Sequence, residues 1–400
     1  MTTHGTSTGR EHARSDAEPD RRHATWAARG NAQRPALSRA AAFWLVAGVL
    51  FLLFFAAAAP SPLYGVYQAQ WRFSAITLTV VFAAYALLLL VTLLVLGSVS
   101  DYLGRRRVIL AGLAMAAGAT GLFLAAHGVE LLFAARALHG AAVGTATSAL
   151  GAALIDLQPE GSRRAPVVTT AAAAVLAMPE TTPGQPGVLA ALRPRVAVPR
   201  QARGAFAMAL PCLIAVWMIS GFYLSLGPSL AAQVLRSPDL LWGGLVIFLL
   251  NGIGTGAAVV ARRASGPAAM LAGCLALLAG TAVTLAAIQT ASAAAFLAGT
   301  AVAGAGFGTA MLGVFRTISA LAPPGQRAGL IAAYFIASYT AFSIPVVVAG
   351  VATTHFGLHR TALVYCAVIA VLAAVAAVGL IFRRRSPTGG AARPGEGEMP

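Results

Sequence analysis

Two residues able to carry charge stand deep in an otherwise apolar stretch: Arg136 and His139, within the run Val129 to Leu157. Three positions apart, they share nearly one face of a helix. Arg136 falls about 10 to 12 Å from the nearer end of the run, at about 1.5 Å per residue. Arginine fixes a positive charge that an anion or a carbonyl can meet. Histidine titrates near neutrality unaided, which makes His139 the candidate proton carrier. The plainer alternatives are an arginine satisfied by backbone carbonyls or water, and a packed, neutral imidazole. No Asp or Glu lies deep in any apolar run, since Glu130, Asp239 and Asp156 all stand near run ends. An Arg–His pair without a carboxylate makes its surroundings positive and favours a neutral or anionic small molecule over a strongly cationic one. Tyr64, Trp217, Tyr223, Asn251, Phe307 and Tyr339 are candidates for aromatic or polar contacts, with packing as the alternative for each. Catalysis has no comparable signature. There is no aspartate-rich metal motif, nucleophile elbow or His/Glu ligand spacing, so neither an enzyme, a metal centre nor a cofactor is expected.

The elements that must position these residues follow from composition. The chain of 400 residues is 58% hydrophobic and 10% charged, with mean hydropathy +0.78, too apolar for a soluble domain. An all-α polytopic membrane protein is the expected class. Ten runs reach the roughly 20 residues that a bilayer core of about 30 Å requires: Ala40 to Pro60, Ser74 to Leu96, Val108 to Ala126, Val129 to Leu157, Gly204 to Gly227, Leu240 to Val260, Pro267 to Ile288, Ala291 to Met311, Gly329 to Val351 and Thr361 to Ile381. Gly140 and Gly144, four apart, suit close helix packing in lipid. So does Gly304-Ala-Gly306-Phe-Gly308, which lacks the preceding strand a dinucleotide site needs. Cys212, Cys274 and Cys366 each lie inside an apolar run and read as packing residues. The net charge of +16 comes from arginines in short loops, a membrane-orientation pattern and not a nucleic-acid footprint. Residues 1–39 and 383–400 read as polar, disordered cytoplasmic tails.

One stretch fits poorly. In "SRRAPVVTTAAAAVLAMPETTPG", Ser162 to Gly184, only Ala165 to Met178 form an uncharged, mostly apolar centre. Those residues reach about 21 Å as a helix, too short and too weakly apolar to span. Counting the stretch as a span also inverts everything after it and puts ten arginines on the wrong side: Arg193, Arg195, Arg200, Arg203, Arg262, Arg263, Arg327 and Arg383 to Arg385. The expected arrangement is therefore a bundle of four spans over residues 40–157, a cytoplasmic or interfacial segment over 158–203, and six spans over 204–382. Both termini are expected to be cytoplasmic, in a cell (plasma) membrane.

Between the second and third runs stands "GSVSDYLGRRR", Gly97 to Arg107. Gly97 permits close helix approach, Asp101 is an acid at a helix end, Gly104 permits a tight turn, and Arg105, Arg106 and Arg107 suit an anionic leaflet. The spacing resembles the loop signature G-x-x-x-D-x-x-G-R-[RK]-[RK] of the major facilitator superfamily, with Tyr102 where that family usually has arginine. "RALHGAAVG", Arg136 to Gly144, is similar to its fourth-helix motif R-x-x-x-G-x-x-x-G, with His139 where glutamine is more usual. "PSPLYGVYQAQW", Pro60 to Trp71, resembles some bacterial members. The resemblance implies two six-helix halves that rock around a central cavity to carry a small organic solute, with protons as a candidate coupling ion. It implies a latch in which Asp101 faces the start of the span near Gly329, and Arg105 to Arg107 pair with Asp156 or Glu160. It also implies that helices 5 and 6 are absent, with Ser162 to Gly184 as the splice of their outer ends. The leading reading is therefore a secondary transporter working by alternating access; the alternative is a transport-inactive or dimer-dependent derivative, because loss of helix 5 opens one of two sealing seams, and a membrane enzyme is the least supported.

Overall fold

A computed structural model describes residues 39–96, 99–157, 196–237, 239–321 and 327–385. Among them the chain is all helical: α1 (Arg39–Ala58), α2 (Tyr64–Trp71), α3 (Ala75–Leu96), α4 (Val99–Leu103), α5 (Arg105–Leu124), α6 (Val129–Leu157), α7 (Arg203–Ser225), α8 (Gly227–Val234), α9 (Leu240–Val260), α10 (Gly266–Thr290), α11 (Ala293–Ser319) and α12 (Arg327–Arg385). Helix is the form in which an apolar segment satisfies its own backbone without water. Residues that end helices mark the boundaries. The Asp239 carboxylate accepts from the Leu241 amide at 2.9 Å to start α9, the Ser292 hydroxyl caps α11, and Gly104, at φ 90°, separates α4 from α5.

Eight helices among the described residues are long and apolar enough to cross a membrane. One of them, covering Gly329–Arg383, is two helices joined at Gly357. At φ 81° and ψ 160° that residue adopts a backbone only glycine holds without strain. α6 adds a further span of 29 residues, made less apolar by Glu130, Arg136 and His139. Among the described residues the result is ten, the number expected from the apolar runs. The outer surface suits hydrocarbon: Leu124, Leu241 and Val260 are 86%, 77% and 84% exposed. The protein is a multi-pass membrane protein.

Three details differ from the apolar runs. The first span does not stop at Pro60 but continues through a 3-10 turn, Ser61–Leu63, into α2. Neither Pro60 nor Pro62 carries an amide hydrogen, yet both fit the first turn of a helix. α11 runs past Met311 to Ser319, and the short helices α4 and α8 occupy what reads as loop. The stretch Ala165 to Met178, and with it the expectation about helices 5 and 6, lies outside the described residues, as do residues 1–38 and 386–400.

Small residues set the helix spacing. A Cβ on Gly140 would strike the Tyr85 carbonyl of α3, and one on Gly144 would strike Thr92 and Leu89. Gly112 lets α5 meet α6, where a Cβ would stand 2.7 Å from that of Ala146. In the C-terminal half, Gly273, Gly280, Gly306 and Gly313 join α10 to α11, while Gly304 and Gly308 face α9. The glycine-rich stretch of α11 is thus a two-sided packing surface inside one continuous helix. The halves meet along α3 and α12. Gly350 abuts Thr79 there, and Tyr339 and Phe342 join an apolar cluster that includes Val46, Tyr85, Leu89 and Val143.

Gly140→Ala is expected to destabilise the purified protein by about 1–3 kcal/mol through overpacking. Gly121→Ala, where an added Cβ meets nothing within 4 Å, is expected to leave stability unchanged or raise it slightly. Thermal melting in detergent, followed by size-exclusion chromatography, reads both.

Candidate functional site

The site begins at the broken end of α1. The last carbonyls of a helix have no partner in the helix and carry its negative dipole end. The Ala57 carbonyl accepts from Nη1 of Arg136 at 2.8 Å. The turn after Pro60 then places Tyr64 on α2, where its hydroxyl accepts from Nε of the same arginine. One guanidinium therefore ties α6 to both pieces of the first span.

Aromatic rings close the rest. The Arg136 Cζ lies 5.2 Å from the centroid of Tyr64, 5.1 Å from Phe82, 5.2 Å from Tyr85 and 5.8 Å from Phe123. All four fall within cation–π range, which is worth up to about 2 kcal/mol per ring when water is excluded. Arg136 is 1% exposed, and no Asp or Glu is buried among the described residues. Among the residues whose side chains are described, the cation is held by dipoles and ring faces and meets no carboxylate.

His139 is also 1% exposed, and neither ring nitrogen has a hydrogen-bond partner. Its ring stands edge-on to Tyr85 at 6.1 Å and tilted to Phe123 at 6.3 Å, so it shares two cage rings with Arg136. An unpaired polar ring in an apolar site is costly and marks a place where a solute or water can bind.

Across the seam, Trp217 of α7 packs on Tyr339 at 5.0 Å and on Phe342 at 6.2 Å. Tyr339 and Phe342 share one buried cluster with Tyr85. The structure thus brings Arg136, His139 and Tyr64 together, while Trp217 and Tyr339 pack in or against the apolar cluster that includes Tyr85. It takes three candidates elsewhere. Tyr223 is fully buried in the C-terminal bundle, bonded to Thr284 at 3.2 Å and Thr300 at 3.0 Å, where it fastens α7 to α10 and α11. The Asn251 side chain donates to the Ile247 carbonyl of its own helix at 2.9 Å. Phe307 packs against α9 at Gly254. Phe82, Tyr85 and Phe123 are additions to the sequence reading. Phe82 and Tyr85 are three apart on α3, a spacing that could have flagged them as one face.

In the loop signature, Gly104 is buried at the start of α5. Arg105 and Arg106 are half-buried and Arg107 is exposed. Three cations at a helix N-terminus oppose its dipole, so helix stability is not what they supply. Asp101 lies on α4 and Asp156 in the last turn of α6. Gly97, Glu160 and the side chains of Asp101 and Asp156 lie outside what is described, and so do the expected latch pairs. Arg316, in the last turn of α11, donates to the Ala264 carbonyl at 2.9 Å. Cys212, Cys274 and Cys366 are buried and unbridged. Among the described residues no group of three or more His, Cys, Asp or Glu could hold a metal ion.

Comparison with known proteins gives the same frame. Residues 46–177 match the family model of the Major Facilitator Superfamily. Among solved structures, the fold is similar to the human organic anion transporter MFSD10 (TETRAN), at 16% identity and TM-score 0.57, covering 84% of this chain and 97% of that one. It is also similar to the nucleoside transporter NupG, at 13% identity and TM-score 0.58, covering 84% of this chain and 98% of that one. No curated protein sequence matches the chain. Residues 46–177, the part matched by the family model, include the helices that build the arginine cage, and the chain shares its fold with these two transporters over most of its length.

Proposed function

We propose that the protein is a secondary transporter that moves a small organic solute, neutral or anionic, across a cell membrane by alternating access between its two halves. The observation that carries this is Arg136, a cation buried without a carboxylate partner among the described residues, beside the unpaired ring of His139 and close to the seam between halves. Buried charge in a membrane bundle is costly and usually marks a solute or ion path. A fixed cation in a closed apolar site attracts anions, tolerates neutral polar solutes and repels cations. The similar structures are named for an organic anion and for nucleosides, which agrees with that preference. The loop arginines support cytoplasmic termini.

The alternative, a transport-inactive or dimer-dependent derivative, is supported by two bare helices. Only 22% of the apolar window of α5, and the same share of α9, is buried, against 50% for α3. In the family, helix 5 packs across the seam on the helix that corresponds to α9, so a chain without it leaves that face open.

The deciding experiment is flux of benzoate, uridine and tetraethylammonium into liposomes holding the purified protein. Uptake of benzoate or uridine above empty liposomes, without tetraethylammonium, is expected. Uptake of none of the three favours the inactive alternative, and uptake of tetraethylammonium alone overturns the charge assignment.

Arg136→Gln is expected to lower kcat/KM at least about tenfold, a loss of about 1.4 kcal/mol. Arg136→Lys should also fall well below the parent, since one ammonium cannot reproduce the fork that reaches Tyr64 and Ala57. Retention of full activity by both variants removes Arg136 from the site.

If protons drive the cycle through His139, His139→Gln abolishes the acceleration produced by an imposed pH gradient while the protein still folds. An unchanged pH response rejects that role.

A further inference from the structure

Two helices of the C-terminal half carry the same spacing of sulfur. Met208 and Cys212 stand four apart on α7, and Met270 and Cys274 four apart on α10, so each pair lies along one helix face. The two faces meet. The Cys274 thiol donates to the Cys212 sulfur at 3.3 Å, and both residues are 0% exposed. About 6 Å nearer the helix starts, Met208 and Met270 line a cavity of about 240 Å³ between α7, α10, α11 and α12. Arg383, which is exposed, lines the same cavity, with its Nη1 4.0 Å from the Met208 sulfur. Two thioether residues thus stand at a cavity that reaches the end of the bundle, and two thiols in contact lie behind them. Cys366 has no such companion, with Ala362 at the matching position four residues before it.

We propose that Cys212 and Cys274 form a site for one soft monovalent metal ion, Cu(I) or Ag(I), which reaches them past the thioethers of Met208 and Met270. Thiolate and thioether donors select such ions. The ion takes the place of the proton between the two sulfurs. Cys274 gives that proton to water as its sulfur bonds to the metal, and Cys212, still a thiol, lends a lone pair. One positive charge leaves and one arrives, so the buried pair stays neutral, as an apolar bundle requires. Zinc does not suit the site. It takes four protein ligands in structural sites and three in catalytic ones, and no third His, Cys, Asp or Glu joins the pair among the described residues. At a metal–sulfur bond of about 2.3 Å, a linear S–metal–S unit spans about 4.6 Å, so the sulfurs must part by about 1 Å. Pro211, next to Cys212, removes one rung of the α7 backbone ladder, which gives that turn room to adjust.

The test loads the full-length protein in detergent with Ag(I), which needs no reductant, washes it with free methionine to strip silver held by thioethers alone, and reads it by native mass spectrometry. The parent is expected to keep one silver per chain, with a mass gain of silver less one hydrogen. Cys212→Ser and Cys274→Ser should each lose the silver, and Cys366→Ser should keep it. The double variant Met208→Leu with Met270→Leu should fill the same single site more slowly. X-ray absorption at the silver edge, measured on the parent, is expected to show sulfur neighbours alone, a result that stands even where a serine variant does not fold. No silver retained by the parent, silver retained by Cys212→Ser, silver lost from Cys366→Ser alone, or oxygen and nitrogen neighbours in place of sulfur would each overturn the assignment.

Discussion

A guanidinium that meets no carboxylate among the described residues, sealed inside an apolar bundle, is the constraint around which the N-terminal half is arranged. An ion of that size loses several kcal/mol of hydration on burial, so every group near Arg136 must give something back. The end of α1 offers the Ala57 carbonyl, α2 offers the Tyr64 hydroxyl, and α3 and α5 offer ring faces. Each donor depends on a local rule. α1 must break where it does for its last carbonyls to be free. The chain must turn through Ser61–Leu63 for Tyr64 to come back toward α6. Gly140 must lack a side chain for α6 to approach Tyr85 closely enough to share its ring.

The same rings carry the site to the other half. Tyr85 lies under Arg136 and also belongs to the cluster that takes in Tyr339 and Phe342 of α12. Trp217 packs on both residues of that pair, and Phe335 stacks on Tyr339. A rocking motion that separates α3 from α12 would therefore uncover the very rings that now enclose the cation. In the proposed cycle, closure of the seam and burial of the site would be one event. In the C-terminal half, α10 and α11 are in near backbone contact along their length through small residues.

Much of this was legible in the sequence, for identifiable reasons. Apolar runs of membrane length fix ten helices because lipid admits little else. The pairing of Arg136 with His139 follows from spacing alone, and both reach the same site. Tyr64 was readable as a candidate, but not as the acceptor for Arg136, because that contact depends on a helix continuing past Pro60, where sequence rules favour a stop. Tyr223 and Phe307 misled for the opposite reason: an aromatic residue in an apolar helix carries no mark of which face it occupies. Tyr85, in the cluster where the two halves meet, had only its three-residue spacing from Phe82 to mark it. Gly357 was likewise not singled out, although its backbone sets the reversal of α12.

Accessibility of the cage during the working cycle tests the central claim most directly. In a His139→Cys variant reconstituted in liposomes, anionic and cationic methanethiosulfonate reagents can be compared for their rates of reaction at that position, which is closed in this structure. The account predicts that the site opens and that the anionic reagent reacts several-fold faster, because the Arg136 charge sits beside it. Failure of both reagents to react, or a faster reaction with the cationic one, would contradict it.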